Sequence, residues 1–153
     1  MPRGWRLVKT KHLATAWDGE GARRYGGRWN SVGTAVVYVS ETLSLALAEV
    51  LVHLPGGVLP AFTAIPVELD ESLVTVLAPR DLPADWNRTP PAASTQTIGD
   101  TWVASAASAA LRVPSVIVPP ESNYVLNPGH AEFGSLRIGA PLPFPFDARL
   151  RRS

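Results

Sequence analysis

Hydrophobic positions along this chain change period several times, and each change marks an element. Leu43, Ala46, Leu47, Val50, Leu51 and Leu54 recur at helical spacing, which predicts a helix. Ser40 stands where its N-cap belongs, Glu41 falls in the first turn, and Pro55-Gly56-Gly57 ends it. Leu45, Ala48 and Val52 make the other face apolar too, so both sides are expected to be covered. Ahead of the helix, 35–39 (AVVYV) is short and β-branched and reads as a buried strand. Residues 5–9 alternate as a first strand, and 12–17 form a short helical turn. Two further strands, 61–69 and 72–77, flank Asp70-Glu71 as a hairpin, with Pro66 placing the first at an edge or a bulge. Residues 79–94 are a proline-rich connection. A second helix is expected over 98–112, anchored by Trp102 and Leu111 and stopped by Pro114. Then come a short strand at 115–118, an irregular loop at 119–131 and a last strand at 133–138. Strands and helices do not alternate regularly, so the fold class is α+β rather than a doubly wound sheet.

Composition narrows the class. A chain of 153 residues with 46% apolar content is one domain with a true core, here expected to span 1–153 with a frayed basic tail at about 149–153. Cysteine is absent, which excludes disulfides and thiolate metal sites. No apolar run approaches the about 18 residues of a membrane helix, and the basic N-terminus lacks an apolar signal core. A soluble cytoplasmic protein is expected. The net charge of +1 gives no strong electrostatic claim on nucleic acid. Basic residues cluster at Arg23, Arg24 and Arg28, and again at Arg149, Arg151 and Arg152.

The chemistry concentrates between Gly19 and His53. Five glycines punctuate 18–34, a long loop with little periodicity, and the apolar helix beyond it carries a single carboxylate, Glu49. Burying a lone carboxylate costs several kcal/mol, as an order of magnitude, unless a cation or strong hydrogen bonds compensate. Arg28 and Tyr38 are the side chains expected to meet it. Spacing alone favours a structural Arg28–Glu49 ion pair, a core tyrosine at Tyr38 and a strand-opening Ser115. Familiar catalytic motifs fail. Arg24 occupies the third glycine position of a dinucleotide fingerprint, and there is no P-loop, no GxSxG and no HExxH. His12, His53 and His130 are scattered without metal spacing, so no metal site is expected. His53 is read as partly buried with a backbone partner.

Tyr25-Gly26-Gly27-Arg28-Trp29-Asn30 resembles the RES domain family, named for an arginine, a glutamate and a serine. The likeness continues through 31–41 (SVGTAVVYVSE), 45–53 (LALAEVLVH), Gly99-Asp100-Thr101-Trp102, Arg112-Val113-Pro114-Ser115, 121–128 (ESNYVLNP) and 146–150 (FDARL). Ala131 departs from the proline often found after the histidine. The resemblance implies an ADP-ribosyltransferase-like fold of mixed sheets with a few flanking helices. It implies the toxin of a bacterial toxin–antitoxin pair, acting on NAD by breaking it down or by transferring ADP-ribose to a protein. It also implies an Xre-type antitoxin partner, contact with DNA only through that partner, and a homodimer within a higher-order complex as one arrangement open to it. By position the family's arginine, tyrosine, glutamate and serine fall on Arg28, Tyr38, Glu49 and Ser115. In that setting the catalytic set is Glu49, Arg28 and Tyr38: Glu49 would face the ribose cation or bind the ribose hydroxyls and orient the attacking water, Arg28 would bind the diphosphate, and Tyr38 would stack on the nicotinamide or hydrogen-bond within the pocket, with Ser115, Gly27 and Asn123 binding substrate. NAD would be a substrate, with no other cofactor. A non-catalytic binding module is the third reading.

Overall fold

The computed structural model describes residues 2–57 and 59–150. Its elements run β1 (Arg3–Lys9), α1 (Glu20–Tyr25), β2 (Val37–Ser40), α2 (Leu43–His53), β3 (Phe62–Glu68), β4 (Val74–Val76), α3 (Ala93–Ser105), β5 (Ala110–Pro114), β6 (Ser122–Leu126), β7 (Arg137–Ile138) and β8 (Leu142–Phe144). Strand order is β4-β5-β6-β2-β1-β3-β7, with β8 also on β3. Only β4 and β5 pair in parallel; the other pairings are antiparallel. The result is an α+β fold built on one mixed sheet.

Period-two alternation sends each strand's residues to different cores. Val37 and Val39 join Leu69, Ala110, Tyr124 and Leu126 on one face. Val36, Tyr38, Leu111, Val113 and Val125 join Trp29 and Trp102 on the other, under α3 and the glycine loop. Helix α2 packs Ala46, with Leu43, Leu47 and Val50, on Leu7, Phe62 and Ala64 of β1 and β3.

Several expectations shift. The loop expected over 18–34 contains α1, which Gly19 (φ 73°) and Gly26 (φ 70°) bracket in backbone conformations that favour glycine. Ser40 closes β2 and does not cap α2. Thr42 does, its Oγ1 accepting from the Leu45 amide at 3.1 Å. Helix α2 is covered unevenly on its second face: Leu45 is buried, Ala48 is partly buried and Val52 is 60% exposed. His53 is exposed. Strand β3 is not an edge: it lies between β1 and the pair β7/β8. Pro66 sits where its outer neighbour changes from β8 (opposite Phe62 to Ala64) to β7 (opposite Val67 and Glu68). A missing N–H is tolerated there, and the Pro66 carbonyl still accepts from Gly139 at 2.8 Å.

The expected β3–β4 hairpin does not form. Leu69 and Leu73 are buried in the first core, and β4 pairs with β5 at the far edge. The second helix ends at Ser105, where Ala106 adopts φ 51°. Residues 109–114 have alanine-rich helical propensity at their start, yet Ala109 and Ala110 are fully buried and 110–114 pair with β6. Tertiary pairing overrides a weak local preference there. Pro114 ends a strand, not a helix. Residues 115–118 form a turn, and the expected loop at 119–131 contains β6. The last expected strand is a short 3-10 turn, Phe133–Ser135, followed by β7. At the C-terminus Arg149 grips Asp147 through Nε (3.0 Å) and Nη2 (2.8 Å); Arg151 and Arg152 lie outside the described residues. Among those described, no helix is long and apolar enough to cross a membrane.

Candidate active site

The expected residues form two clusters on one face of the sheet, the face that carries Tyr38 and Val125. The first forms around Glu49. Thr42 at the start of α2 accepts from its own helix and donates to Glu121 Oε1 at 3.2 Å. Glu41 Oε1 accepts from the Ser122 amide at 2.7 Å. These contacts tie α2 to the start of β6, and Glu49, two turns beyond Thr42, comes down over the mouth of the β5–β6 hairpin.

There Glu49 Oε2 accepts from Asn123 Nδ2 and from Ser115 Oγ, the latter at 3.3 Å. Asn123 is fixed in turn. It stands opposite Ser40 in the β2–β6 register, and its Oδ1 accepts from Ser40 Oγ at 2.7 Å. Its amide nitrogen is thereby left for the carboxylate. Ser115 is fully buried, and its Oγ accepts from the Ile117 and Val118 amides, each at 3.1 Å. With its oxygen so occupied, its proton goes to Glu49. All of this lands on Oε2. Among the described residues Oε1 has no donor, so one carboxylate oxygen is anchored and the other is open.

The second cluster forms on the glycine loop. Asn30 is fully buried, and its Nδ2 spans the Ala22 (2.8 Å) and Thr34 (3.0 Å) carbonyls. Its Oδ1 accepts from the Tyr38 hydroxyl at 2.6 Å, and that hydroxyl accepts from the Trp29 amide at 3.0 Å. Burial pushes the Tyr38 phenol well above its usual range, with the Trp29 amide opposing. Gly27 must be glycine: a Cβ there would lie 2.8 Å from the Tyr38 hydroxyl and 3.0 Å from Asn30 Oδ1. Its carbonyl accepts from Gln96 Nε2 of α3 at 3.0 Å. Beneath the cluster, Arg6 of β1 binds the Ala16 carbonyl through Nε (2.8 Å) and the Tyr38 carbonyl through Nη1 (3.1 Å). Burial lowers the Arg6 pKa to about 10, with Asp18 opposing.

Arg28, on the same loop, is held by the segment 86–88. Its Nη1 donates to the carbonyls of Trp86 (2.9 Å) and Arg88 (2.7 Å). Among the described residues Nε and Nη2 have no partner, and these two form the edge that grips an oxyanion bidentately. Burial lowers the Arg28 pKa, while the charges of Glu49 and Tyr38 pull it back up. Arg28 and Glu49 therefore feel one another without an ion pair between them.

The expected meeting of Arg28 and Tyr38 with Glu49 does not occur. Asn123 and Ser115 meet the carboxylate, because the β5–β6 hairpin is nearer to α2 than the glycine loop is. Tyr38 is held back by Asn30. Asn123 also proves to be a strand residue. Residues that sequence reasoning missed are Asn30, Ser40, Gln96 and Arg6. A period-two reading of 122–126 would have placed Asn123 on a face with Val125 and opposite Ser40. The Trp86 and Arg88 carbonyls left no side-chain signal. His130, which bonds the Ala106 carbonyl at 3.0 Å and the Glu132 amide at 3.0 Å, is structural. Among the described residues no three His, Asp or Glu side chains gather to hold a metal. A polar hollow of about 190 Å³ between Glu68, Asp70, Glu132 and Arg137 shares no residue with the site.

Comparison with known proteins places this geometry. The chain is 42% identical over 149 residues to "Toxin Res" of Yersinia enterocolitica, covering 96% of this chain and 98% of that one. It is 36% identical over 154 residues to a "Prs ADP-ribosylating toxin" of Sphingobium sp., covering 97% and 96%. The toxin–antitoxin complex MbcT-MbcA of M. tuberculosis contains a chain of the same fold, with a TM-score of 0.72 at 18% identity over 93% of this chain and 83% of that one. The model of the RES domain matches residues 3–147, and with these relatives it shows that the chain belongs to the RES domain family.

Proposed function

We propose that this protein is the toxin of a bacterial toxin–antitoxin pair and that it destroys NAD by cleaving the bond between nicotinamide and ribose. The observation that carries the reading is a carboxylate and a guanidinium that feel one another's charge, each with a free edge: Oε1 of Glu49 and Nε/Nη2 of Arg28. In cleavage the C1′–N1 bond breaks, and its electron pair leaves with nicotinamide, which departs neutral and needs no acid. Positive charge builds on the ribose. A fixed carboxylate oxygen beside that carbon stabilises it electrostatically, as in glycoside cleavage. Asn123 and Ser115 hold Oε2, so Oε1 cannot turn away. Water, or phosphate, then bonds to C1′; with water the products are ADP-ribose, nicotinamide and a proton. Arg28 binds the diphosphate at its free edge, and the Gly27 backbone gives close approach to it.

Transfer of ADP-ribose to a protein needs the same pocket and a different nucleophile. The name of the Sphingobium relative favours it as the second reading. For the partner, the complex of the structural neighbour supports an antitoxin, which we take to be of the Xre type, with any DNA contact made by that partner. A cytoplasmic setting fits a substrate found there. The test incubates purified protein with NAD, with and without phosphate, and identifies products by mass, beside a lysate labelled from NAD. Nicotinamide with ADP-ribose or its 1-phosphate is the expected result. A labelled protein without free ADP-ribose selects the second reading. No nicotinamide and no label overturns both.

A further inference from the structure

We infer that the segment 83–89 forms the wall that receives the adenine end of the substrate, with Trp86 as its stacking surface. The inference rests on the NAD reading above. Of the five tryptophans, Trp29 and Trp102 are buried in the core, and Trp5 and Trp17 pack against core clusters. Trp86 belongs to none of the clusters formed by the described residues, and it is half-buried. Trp86 thus carries a large aromatic surface that no core cluster absorbs.

The segment is built to stay in place. Two successive turns shape it, the Trp86 amide donating to the Pro83 carbonyl and the Arg88 amide to the Asp85 carbonyl, each at 3.1 Å. Ser94 Oγ fastens it to the start of α3 through Asp85 Oδ1 at 2.5 Å. Arg28 Nη1 then holds the Trp86 and Arg88 carbonyls. One guanidinium thus has two assignments. Nη1 positions the wall, and the Nε/Nη2 edge stays open for an oxyanion. Arg28 bonds the wall and is charge-coupled to Glu49. With the cleaved ribose at Glu49 and the diphosphate on Arg28, the other nucleoside runs toward Trp86. An aromatic residue whose main chain is bound by the guanidinium matches a base followed by phosphate.

The experiment measures calorimetric binding of AMP, ADP-ribose and nicotinamide mononucleotide to the full chain and to Trp86→Ala and Trp86→Phe, together with KM and kcat for NAD. Stacking predicts that Trp86→Ala weakens AMP and ADP-ribose about tenfold and raises KM for NAD by a similar factor. Nicotinamide mononucleotide binding and kcat should change less than about threefold, and Trp86→Phe should restore most of the loss. Unchanged AMP and ADP-ribose binding in Trp86→Ala, beside a parent protein that cleaves NAD, overturns the wall and leaves the NAD reading standing. A loss confined to nicotinamide mononucleotide puts Trp86 at the wrong end and also overturns it. A parent protein that neither binds ADP-ribose nor releases nicotinamide overturns both.

Discussion

Glu49 is anchored through one oxygen and open at the other, and that asymmetry sets what its replacement should do. In Glu49→Gln a carbonyl oxygen can still accept from Asn123 and Ser115, so the cluster keeps its shape while the charge is gone. Charge matters most when the ribose becomes cationic. Nicotinamide release should fall by about 10²- to 10³-fold, while ADP-ribose affinity measured by calorimetry changes less than about threefold. Arg28→Ala should do the reverse, weakening ADP-ribose by about tenfold or more through loss of a charge-assisted fork. Equal, small effects of both changes would contradict the two assignments. Tyr38, by contrast, spends its hydroxyl on Asn30 and the Trp29 amide, so its first contribution is to hold the glycine loop.

At the scale of elements, the glycine loop is positioned by two helices, α1 within it and α3 packed against it. Helix α3 lies directly on the Trp29 backbone, where a Cβ on Gly99 would sit 1.6 Å from the Trp29 carbonyl oxygen. The Asp100 carboxylate secures the same junction by accepting from the Ser31 amide (3.0 Å) and the Ser31 hydroxyl. Gly99→Ala must push α3 off the loop. It should cost about 3 kcal/mol, read as a lower urea midpoint, and should weaken ADP-ribose binding because Gly27 and Arg28 move with Trp29. Helix α1 is held differently. Glu20 accepts from Arg23 and Arg24, and Arg23 lowers its pKa from 4.5 to about 2. A carboxyl depressed in the folded state adds stability above its unfolded value and loses it as pH falls through the folded one. The amides of α1 should therefore exchange faster as pH drops from about 4.5 toward 2, once the intrinsic exchange rate is divided out. In Glu20→Gln that added acid sensitivity should vanish.

At the scale of the molecule, the proposed activity would destroy a central cofactor, and such an activity has to be restrained in its own cell. The surface beside the site is suited to a partner. Tyr25 (82% exposed) and Val32 (69%) are apolar and open next to Arg23, Arg24 and Arg28. A chain end or carboxylate of the antitoxin would be attracted there. Co-expression of the antitoxin should restore growth and stop NAD loss, and the purified complex should release no nicotinamide. A complex that turns over NAD at the rate of the free protein would rule out occlusion of the pocket.

What the sequence determined by itself is what adjacent residues and short periods encode. The 3.6-residue spacing of 43–54 located α2 within a few residues, and the β-branched run before it located β2. The family motifs assigned Arg28, Tyr38, Glu49 and Ser115 to one site. Tertiary structure decided what depends on distant segments meeting. Residues 110–114 became a strand because they lie between β4 and β6 in the sheet, against the helical propensity of the alanines at their start. Glu49 took Asn123 and Ser115 as partners, 74 and 66 residues away in sequence, because register puts Asn123 beside Ser40 and α2 above both. Arg28 escaped an ion pair because two main-chain carbonyls of 86–88 hold its Nη1, and carbonyls are the same at every position of a sequence. The site's charges were legible in the residue types. Their separation, which keeps Oε1 and the Arg28 edge open to a substrate, was a property of the fold.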